Sequence, residues 1–186
     1  MHGILLSIIL AASAPAAPLS AEKIAALYFG AAREGRVDVL GALIEAGAPI
    51  DARNDKGHTA FILAAYNGQR EAAAFLAAKG ADPCAADEKG NTAQMGVAFK
   101  GHDDIAQLLL TYGCNVNAEN NSGQTAIMMA ALFGRTAQVR ALREAGADVA
   151  KRDLLGNTAI LLARMQGNEE LIDLLAAGED AGIPDR

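Results

Sequence analysis

Histidine, cysteine and paired carboxylates are the residues through which this chain could do chemistry, and they are few. His58 and His102 are far apart, no histidine pair has metal-ligand spacing, and no Cys-x-x-Cys occurs. Asp103-Asp104 and Glu169-Glu170 are paired carboxylates. Each pair falls in the first turn of a predicted helix, where acidic side chains complement the helix dipole. The sequence therefore predicts no catalytic residues, no metal site, no cofactor and no enzyme activity.

Composition favours one helical domain. The chain has 186 residues, of which 52% are hydrophobic but only 4% aromatic, so the apolar mass is alanine and leucine. The net charge is −6 and the charged residues are scattered. Because binding to phosphates needs a basic patch, we do not expect the protein to bind nucleic acid.

The N-terminus has a different composition from the rest. Residues 1–21 contain no Lys, Arg, Asp or Glu, and an apolar run from Ile4 to Ala12 precedes a segment rich in small residues and proline. This pattern predicts a secretory signal peptide over residues 1–21 and export. Ala14-Pro15-Ala16 and Leu19-Ser20-Ala21 are candidate cleavage boxes; cleavage before Glu22 is favoured because it would leave the first helix whole. A buried N-terminal helix or a misplaced start is the alternative, since no Lys or Arg precedes the apolar run.

Three sequence markers recur along the chain at a step of 33 residues. A Gly-x-Thr-Ala motif is the first, and its copies begin at Gly57, Gly90, Gly123 and Gly156. A glycine is the second, at positions 35, 68, 101, 134 and 167, and a Gly-Ala pair (Gly-Cys at 113) is the third, at positions 47, 80, 113 and 146. A fixed period of this size indicates one supersecondary unit stacked on copies of itself.

Each unit can be read from its residues. Thr59 is a predicted helix N-cap, Gly68 ends that helix, and a second helix runs to Gly80 before a stretch of turn-forming residues. The pattern predicts five helix pairs joined by four hairpin-like fingers. The predicted units are 22–46, 47–79, 80–112, 113–145 and 146–178, followed by a polar C-terminal tail over 179–186.

These motifs resemble ankyrin repeats. The segment Gly57-His58-Thr59-Ala60-Phe61-Ile62-Leu63-Ala64-Ala65-Tyr66-Asn67-Gly68 is similar to the family's Gly-x-Thr-Pro-Leu-His-x-Ala-Ala-x-x-Gly, and Gly146-Ala147-Asp148-Val149 to its Gly-Ala-Asp-Val. The resemblance covers residues 22 to about 177 and implies an all-α repeat solenoid. Small bacterial periplasmic ankyrin-repeat proteins are the members that this chain resembles.

The chain also departs from the family pattern. The family's proline is always alanine here, and its histidine is always apolar, at Ile62, Met95, Met128 and Leu161. Apolar packing must therefore replace the family's hydrogen bonds between histidine and threonine. Three further residues mark places of local weakness or of function: Gln94 stands where Leu is usual, Arg164 where Ala is usual, and Gln138 where neighbouring units have Ile or Leu.

The two cysteines occupy different positions in successive units. Cys84 lies in an extended segment, while Cys114 replaces the alanine that follows glycine in the other units. An exported protein could pair them. We nevertheless expect Cys114 to be a small buried filler, because the geometry that a disulfide requires is narrow.

The resemblance implies a concave binding surface made of finger tips and of the exposed ends of the first helices. The predicted partner-binding residues at the tips are Asp55, Lys56, Glu88, Lys89, Asn121, Ser122, Leu154 and Leu155. Those at the helix ends are Tyr66, Asn67, Phe99, Lys100, Leu132, Phe133, Met165 and Gln166.

Two apolar features stand out on that surface. Tyr66, Phe99, Leu132 and Met165 share one position in four consecutive units, so stacking would align them. The line is either a partner site or a set of side chains buried against one another. Leu154-Leu155 is an apolar tip among polar ones, which favours a contact site over a tip folded onto the C-terminal helix pair.

We therefore expect an exported, non-enzymatic and monomeric module that binds a protein partner, without nucleic acid and without a membrane after signal cleavage. A structural scaffold or spacer is the alternative, and a small hydrolase or metal-binding protein is the less favoured one. The resemblance implies a narrower setting in the bacterial periplasm, in oxidative-stress protection or toxin neutralisation.

Overall fold

The computed structural model describes residues 20–177, which form ten α-helices in five pairs. The first helices of the pairs are α1 (Ala21–Glu34), α3 (Ala60–Tyr66), α5 (Ala93–Lys100), α7 (Ala126–Leu132) and α9 (Ala159–Met165). The second helices are α2 (Val37–Glu45), α4 (Arg70–Ala78), α6 (Asp103–Leu110), α8 (Thr136–Glu144) and α10 (Glu169–Ala176). Each first helix packs on its own second helix and on the first helix of the next pair, and the second helices form a parallel row of contacts. Within residues 20–177 there is no strand, only an isolated bridge between Ala86 and Thr92. The predicted all-α repeat solenoid is confirmed.

The first helices begin where threonine can cap them. The hydroxyls of Thr59, Thr92 and Thr158 accept hydrogen bonds from the backbone N–H three residues on, at 3.2–3.4 Å. Each bond satisfies one donor that the first helical turn leaves unpaired. Thr125 occupies the same position but its buried hydroxyl has no partner, so α7 begins without this bond.

Apolar side chains stand at the four positions where the family pattern has histidine, and three of them pack in the core. Ile62, Met95 and Met128 are buried, whereas Leu161 is 38% exposed. The core forms two clusters that meet at α5: Ala93 and Val97 pack with the preceding units, and Met95 and Ala98 pack with the following ones. Helix α5 therefore joins the two clusters of the core.

The disulfide that the sequence disfavoured is present. Cys84 and Cys114 are bonded, with Cα atoms 5.4 Å apart, so the expectation that Cys114 is only a buried filler was wrong. The two residues differ by three positions in the repeat. The chain turns at Pro83 and Cys84, and this turn brings the Cys84 side chain back beside the next unit. The bond therefore links two successive units.

The ends of the described range can be compared with the predicted signal peptide and C-terminal tail. Residues 1–19 of the predicted signal peptide and the predicted tail, 179–186, lie outside the described residues. α1 begins at Ala21, and the Ser20 hydroxyl accepts from the Lys23 N–H as its N-cap. Cleavage before Glu22 would thus remove a cap and the first helical residue, in contrast to our expectation of an intact helix. No helix between residues 20 and 177 is long and apolar enough to cross a bilayer.

Candidate functional site

A repeated polar residue, which our sequence reasoning missed, shapes each finger. Asn54, Asp87, Asn120 and Asp153 stand at equivalent positions. One side-chain oxygen of each accepts from the backbone N–H two residues on and from the N–H four residues on, at 2.8–3.0 Å. Such bonds mimic a backbone turn. The step of 33 residues that these residues share with the glycines was the signal in the sequence.

Backbone hydrogen bonds join each finger to the next. The N–H of Glu88 donates to Lys56 O at 3.2 Å, that of Asn121 to Lys89 O at 2.9 Å, and that of Leu154 to Ser122 O at 3.0 Å. Gly57 is required at this contact: its φ is 73°, and a Cβ there would lie 2.6 Å from the Glu88 nitrogen. The tips therefore stand in one row at fixed spacing.

The eight predicted tip residues are all exposed. Leu154 and Leu155 are the most apolar of them, and their side chains are 77% and 86% exposed. The tip thus does not fold onto α9 and α10, which was the alternative to a contact site.

The exposed ends of three first helices carry an aromatic ladder, which we define as Tyr66, Phe99 and Phe133. The Tyr66 and Phe99 rings are nearly parallel with centroids 6.1 Å apart, and the Phe133 ring meets Phe99 edge-on at 4.7 Å. The Lys100 ammonium lies 5.3 Å from the centre of the Tyr66 ring. The three residues remain 37%, 42% and 37% exposed. Mutual contact therefore holds the rings in place while each still faces solvent.

The ladder differs in one member from the predicted line. Leu132 is half-buried and packs on the core, and Phe133 takes its place beside Phe99. Leu132 has no aromatic ring, and the ring that meets Phe99 belongs to the next residue, Phe133, which is the C-cap of α7. Met165 is 71% exposed. The predicted neighbours Asn67, Lys100 and Gln166 are exposed as well.

Side chains from the following unit cap the C-terminal ends of two first helices, α3 and α5. His102 Nε2 lies 3.2 Å from Tyr66 O at the end of α3. One unit on, Arg135 Nη2 donates to Phe99 O at 3.1 Å and to Lys100 O at 3.4 Å at the end of α5. Sequence analysis did not predict this role of His102, which depends on a contact across 36 positions of the chain.

The equivalent residue in the last unit is too short to continue this pattern. Asn168 accepts from the Leu171 N–H and so caps its own helix, α10. A Cβ on Gly101 would lie 2.7 Å from the Arg135 guanidinium, but a Cβ on Gly134 would lie 3.9 Å from the Asn168 amide. An open pocket of about 440 Å³ therefore lies beside Gly134. It is lined by Leu132, Phe133, Gly134, Gln166 and Asn168.

The three residues that departed from the family pattern have separate structural roles. Gln94 lines a cavity of about 110 Å³ beside the disulfide, and its buried amide nitrogen has no partner. Gln138 is buried and donates to Asp103 at 2.8 Å, while its own amide oxygen is unpaired. Arg164 is exposed, whereas Ala65 and Ala131 at its position are buried.

Few charged groups on this surface could act on a substrate. His58 Nε2 lies 3.4 Å from Asp87 Oδ2. Across residues 20–177 no group of three or more His, Cys, Asp or Glu could hold a metal ion. Asp103-Asp104 and Glu169-Glu170 lie in the first turns of α6 and α10, where the sequence placed them.

The fold displaces the pKa values of several ionisable groups, among them Asp153 and Tyr28. Burial raises the pKa of Asp153, but hydrogen bonds from Asn157 and from the Leu155 N–H outweigh it and leave the pKa below its usual value. Burial, and then the charge of Asp51, raises the pKa of Tyr28 to about 12. Tyr28 donates to Ile50 O at 2.9 Å. Both groups stabilise the fold, and the surface as a whole offers contact area rather than reactive groups.

Comparison with known families supports the repeat assignment. A model described as ankyrin repeats (many copies) matches residues 28–77, and one described as ankyrin repeats (3 copies) matches residues 81–153. The comparison with curated proteins gives no match.

Proposed function

Because the chain contains ankyrin repeats over residues 28–77 and 81–153, we propose that it is a non-enzymatic module that binds one protein partner. The finger tips and the exposed ends of the first helices form the binding surface. The aromatic ladder is the observation that carries this proposal. Three touching rings that stay more than a third exposed are costly to leave in water and are typical of the centre of a protein interface.

The rest of the surface suits a protein partner. The backbone and Asx hydrogen bonds fix the tips before binding, so little conformational entropy is lost when a partner docks. Charged side chains of both signs flank the apolar ones, for example Asp55, Lys56, Glu88 and Lys89. A ladder of apolar anchors with a polar rim is the usual composition of such an interface.

We further propose that the protein is exported through residues 1–21 and acts as a monomer in the bacterial periplasm. The Cys84–Cys114 disulfide supports this proposal, because disulfides persist in oxidising compartments. Protection against oxidative stress or neutralisation of a toxin is the narrower role that the ankyrin resemblance suggests. Isolating the partner from periplasm, with its identification by mass spectrometry, tests both the compartment and the role.

The double substitution Tyr66→Ala/Phe99→Ala tests the binding surface. We expect it to reduce capture of the partner from periplasmic extract at least about tenfold, because interface aromatic residues dominate binding energy. Helical circular dichroism should stay at the wild-type level, since both side chains are exposed at the helix ends. A loss of helix would instead show that the rings are part of the core.

A matched control comes from the second helices. Gln107 and Arg140 are exposed on α6 and α8 of successive units, away from the aromatic ladder. Gln107→Ala/Arg140→Ala should leave capture unchanged. Equal loss of capture in both double variants would sink the proposed surface.

A further inference from the structure

The pocket between Phe133 and Gln166 lies at the end of α7, which lacks the side-chain cap that α3 and α5 receive from the following unit. We propose that this pocket receives an arginine side chain of the protein partner. The inference rests on the proposed function and names one anchor of that interface.

The carbonyls at the end of α7 have no side-chain donor among the described residues. The ends of α3 and α5 receive His102 and Arg135, but Asn168 turns its side chain to its own helix. Leu132 and Phe133 both line the pocket, and neither of their carbonyl oxygens has a hydrogen-bond donor among the described residues. The last carbonyls of a helix carry partial negative charge and favour a cationic donor.

The protein itself shows which donor fits. Arg135 reaches both Phe99 O and Lys100 O from a single Nη2 atom and covers Gly101. The pocket one unit later lies at the equivalent helix end and also has a glycine of positive φ, Gly134, but no guanidinium. An arginine from outside can take the place that Arg135 takes in the preceding unit. A lysine ammonium is a compact point charge that lacks the planar fork of donors.

The pocket walls suit the flat face of a guanidinium. Phe133 contributes an aromatic ring that is 37% exposed, and Leu132 contributes an aliphatic edge. Guanidinium groups stack on aromatic faces and keep their edges free for hydrogen bonds. The ring of Phe133 and the carbonyls of α7 would thus contact the same group.

The surrounding charges favour a cation. Glu169 and Glu170 directly follow Asn168 and are exposed, and the chain as a whole carries a net charge of −6. The opposing charges are Arg164, which replaces a buried alanine position on α9, and Arg135, whose guanidinium is committed to the end of α5. Asn168, which precedes the two acidic residues in sequence, lines the pocket.

The test uses a small probe, so that it does not depend on a known partner. Nα-acetyl-arginine methylamide is titrated into the full-length protein, and backbone amide shifts are followed by NMR. We expect saturable shifts at Phe133, Gly134 and Gln166 with a dissociation constant on the order of 10 mM, as is usual for one side chain. The blocked lysine probe should bind at least about threefold more weakly, because it lacks the guanidinium fork.

Two substitutions at one position separate pocket filling from helix capping. Asn168→Arg reproduces Arg135 and fills the pocket, and it should abolish the shifts. Asn168→Ala removes the same N-cap but leaves the pocket open, so it should bind the arginine probe within about twofold of wild type. Both variants lose the cap and should show similarly lowered melting temperatures.

Several results would overturn the proposal: no saturable shift, an equal response to lysine, a stronger response to blocked glutamate, or binding that persists in Asn168→Arg. These results are distinct from failure of the proposed function. Capture that depends on Tyr66 and Phe99 but not on the pocket would refute the arginine anchor alone. Capture that is indifferent to Tyr66 and Phe99 would refute the binding surface.

Discussion

Asp153 shows how single side chains fix the geometry of the fingers. One of its oxygens accepts two backbone N–H groups, and the other accepts the Asn157 amide at 3.0 Å. Asn54 and Asn120 make the same two backbone bonds without a charge. The turn therefore needs an acceptor at this position, and the charge at Asp153 adds a dependence on pH.

Substitution of Asp153 by asparagine should remove that dependence. The pKa of Asp153 is lowered in the folded protein, so its contribution is present above the unfolded pKa of about 3.9 and is lost as pH falls through the folded pKa. Wild type should therefore lose more free energy of unfolding than Asp153→Asn between about pH 5 and pH 2. Urea unfolding at a series of pH values measures the difference. Equal acid sensitivity in the two proteins would contradict this assignment.

Asp153→Ala is the matched control for the acceptor itself. It removes the bonds to the Leu155 and Asn157 N–H groups at every pH. We expect a loss of roughly 1–3 kcal/mol in the free energy of unfolding already at neutral pH, since two part-buried donors are left unpaired. Asp153→Asn should lose much less, because the Asn157 amide can rotate to accept the new N–H₂ donor.

At the scale of elements, helix α5 is the place where the stack is least well filled. It joins the two clusters of the core, yet it carries Gln94 where the equivalent residues are Phe61 and Ile127, both fully buried. The Gln94 amide nitrogen is buried without a partner beside a cavity of about 110 Å³. An unpaired polar atom and an unfilled space both cost stability.

Gln94→Leu should therefore stabilise the protein. Removing the unpaired donor and covering apolar wall should raise the free energy of unfolding by roughly 1–2 kcal/mol, measured by urea unfolding. Gln107→Leu on the exposed face of α6 is the control and should change it by less than about 0.5 kcal/mol. If Gln94→Leu destabilises the protein, the amide has a partner, such as bound water, that the cavity account omits.

The sequence predicted the elements well because their signals are local. Thr59 and Thr92 begin their helices as expected, since a hydroxyl caps a donor only three residues away. Phe133 replaces Leu132 in the row of rings because Leu132 is not aromatic and the ring of the next residue contacts Phe99. The caps from His102 and Arg135 could not be read from sequence, because each depends on the exact stacking of two units.

For the whole molecule, the same distinction explains the disulfide. Periodicity predicted the order of the units but not the disulfide. Cys84 and Cys114 differ by three positions in the repeat, and the turn at Pro83 and Cys84 brings the first cysteine back beside the second. The bond closes a loop across the junction of two units, on the wall of the cavity that Gln94 lines. The disulfide therefore restrains the stack of helices beside its least well filled part.

Removing the disulfide should lower stability without changing the fold. For a sequence separation of 30 residues, the chain-entropy relation gives a loss of roughly 3–4 kcal/mol. The double variant Cys84→Ser/Cys114→Ser should show this loss in thermal or urea unfolding. The midpoint of its unfolding transition should be the same with and without reductant. The wild-type midpoint should fall toward that of the variant when dithiothreitol is added. Wild-type stability that is the same with and without reductant would show that the cysteines are not paired.

The molecule as a whole presents two kinds of surface. The second helices form one row, while the finger tips and the aromatic ladder carry the exposed apolar side chains, including Leu154 and Leu155. A solenoid holds such residues at fixed spacing along its length, and this extended surface is what repeat proteins use for binding. The central claim is that the protein partner docks on the ladder.

The most direct test is the dissociation constant of the isolated partner, measured by calorimetry for wild type and for Tyr66→Ala/Phe99→Ala. The account predicts a dissociation constant at least about tenfold higher for the double variant, with helical circular dichroism unchanged. Equal dissociation constants for the two folded proteins would contradict it, and the binding surface would then have to lie elsewhere on the solenoid.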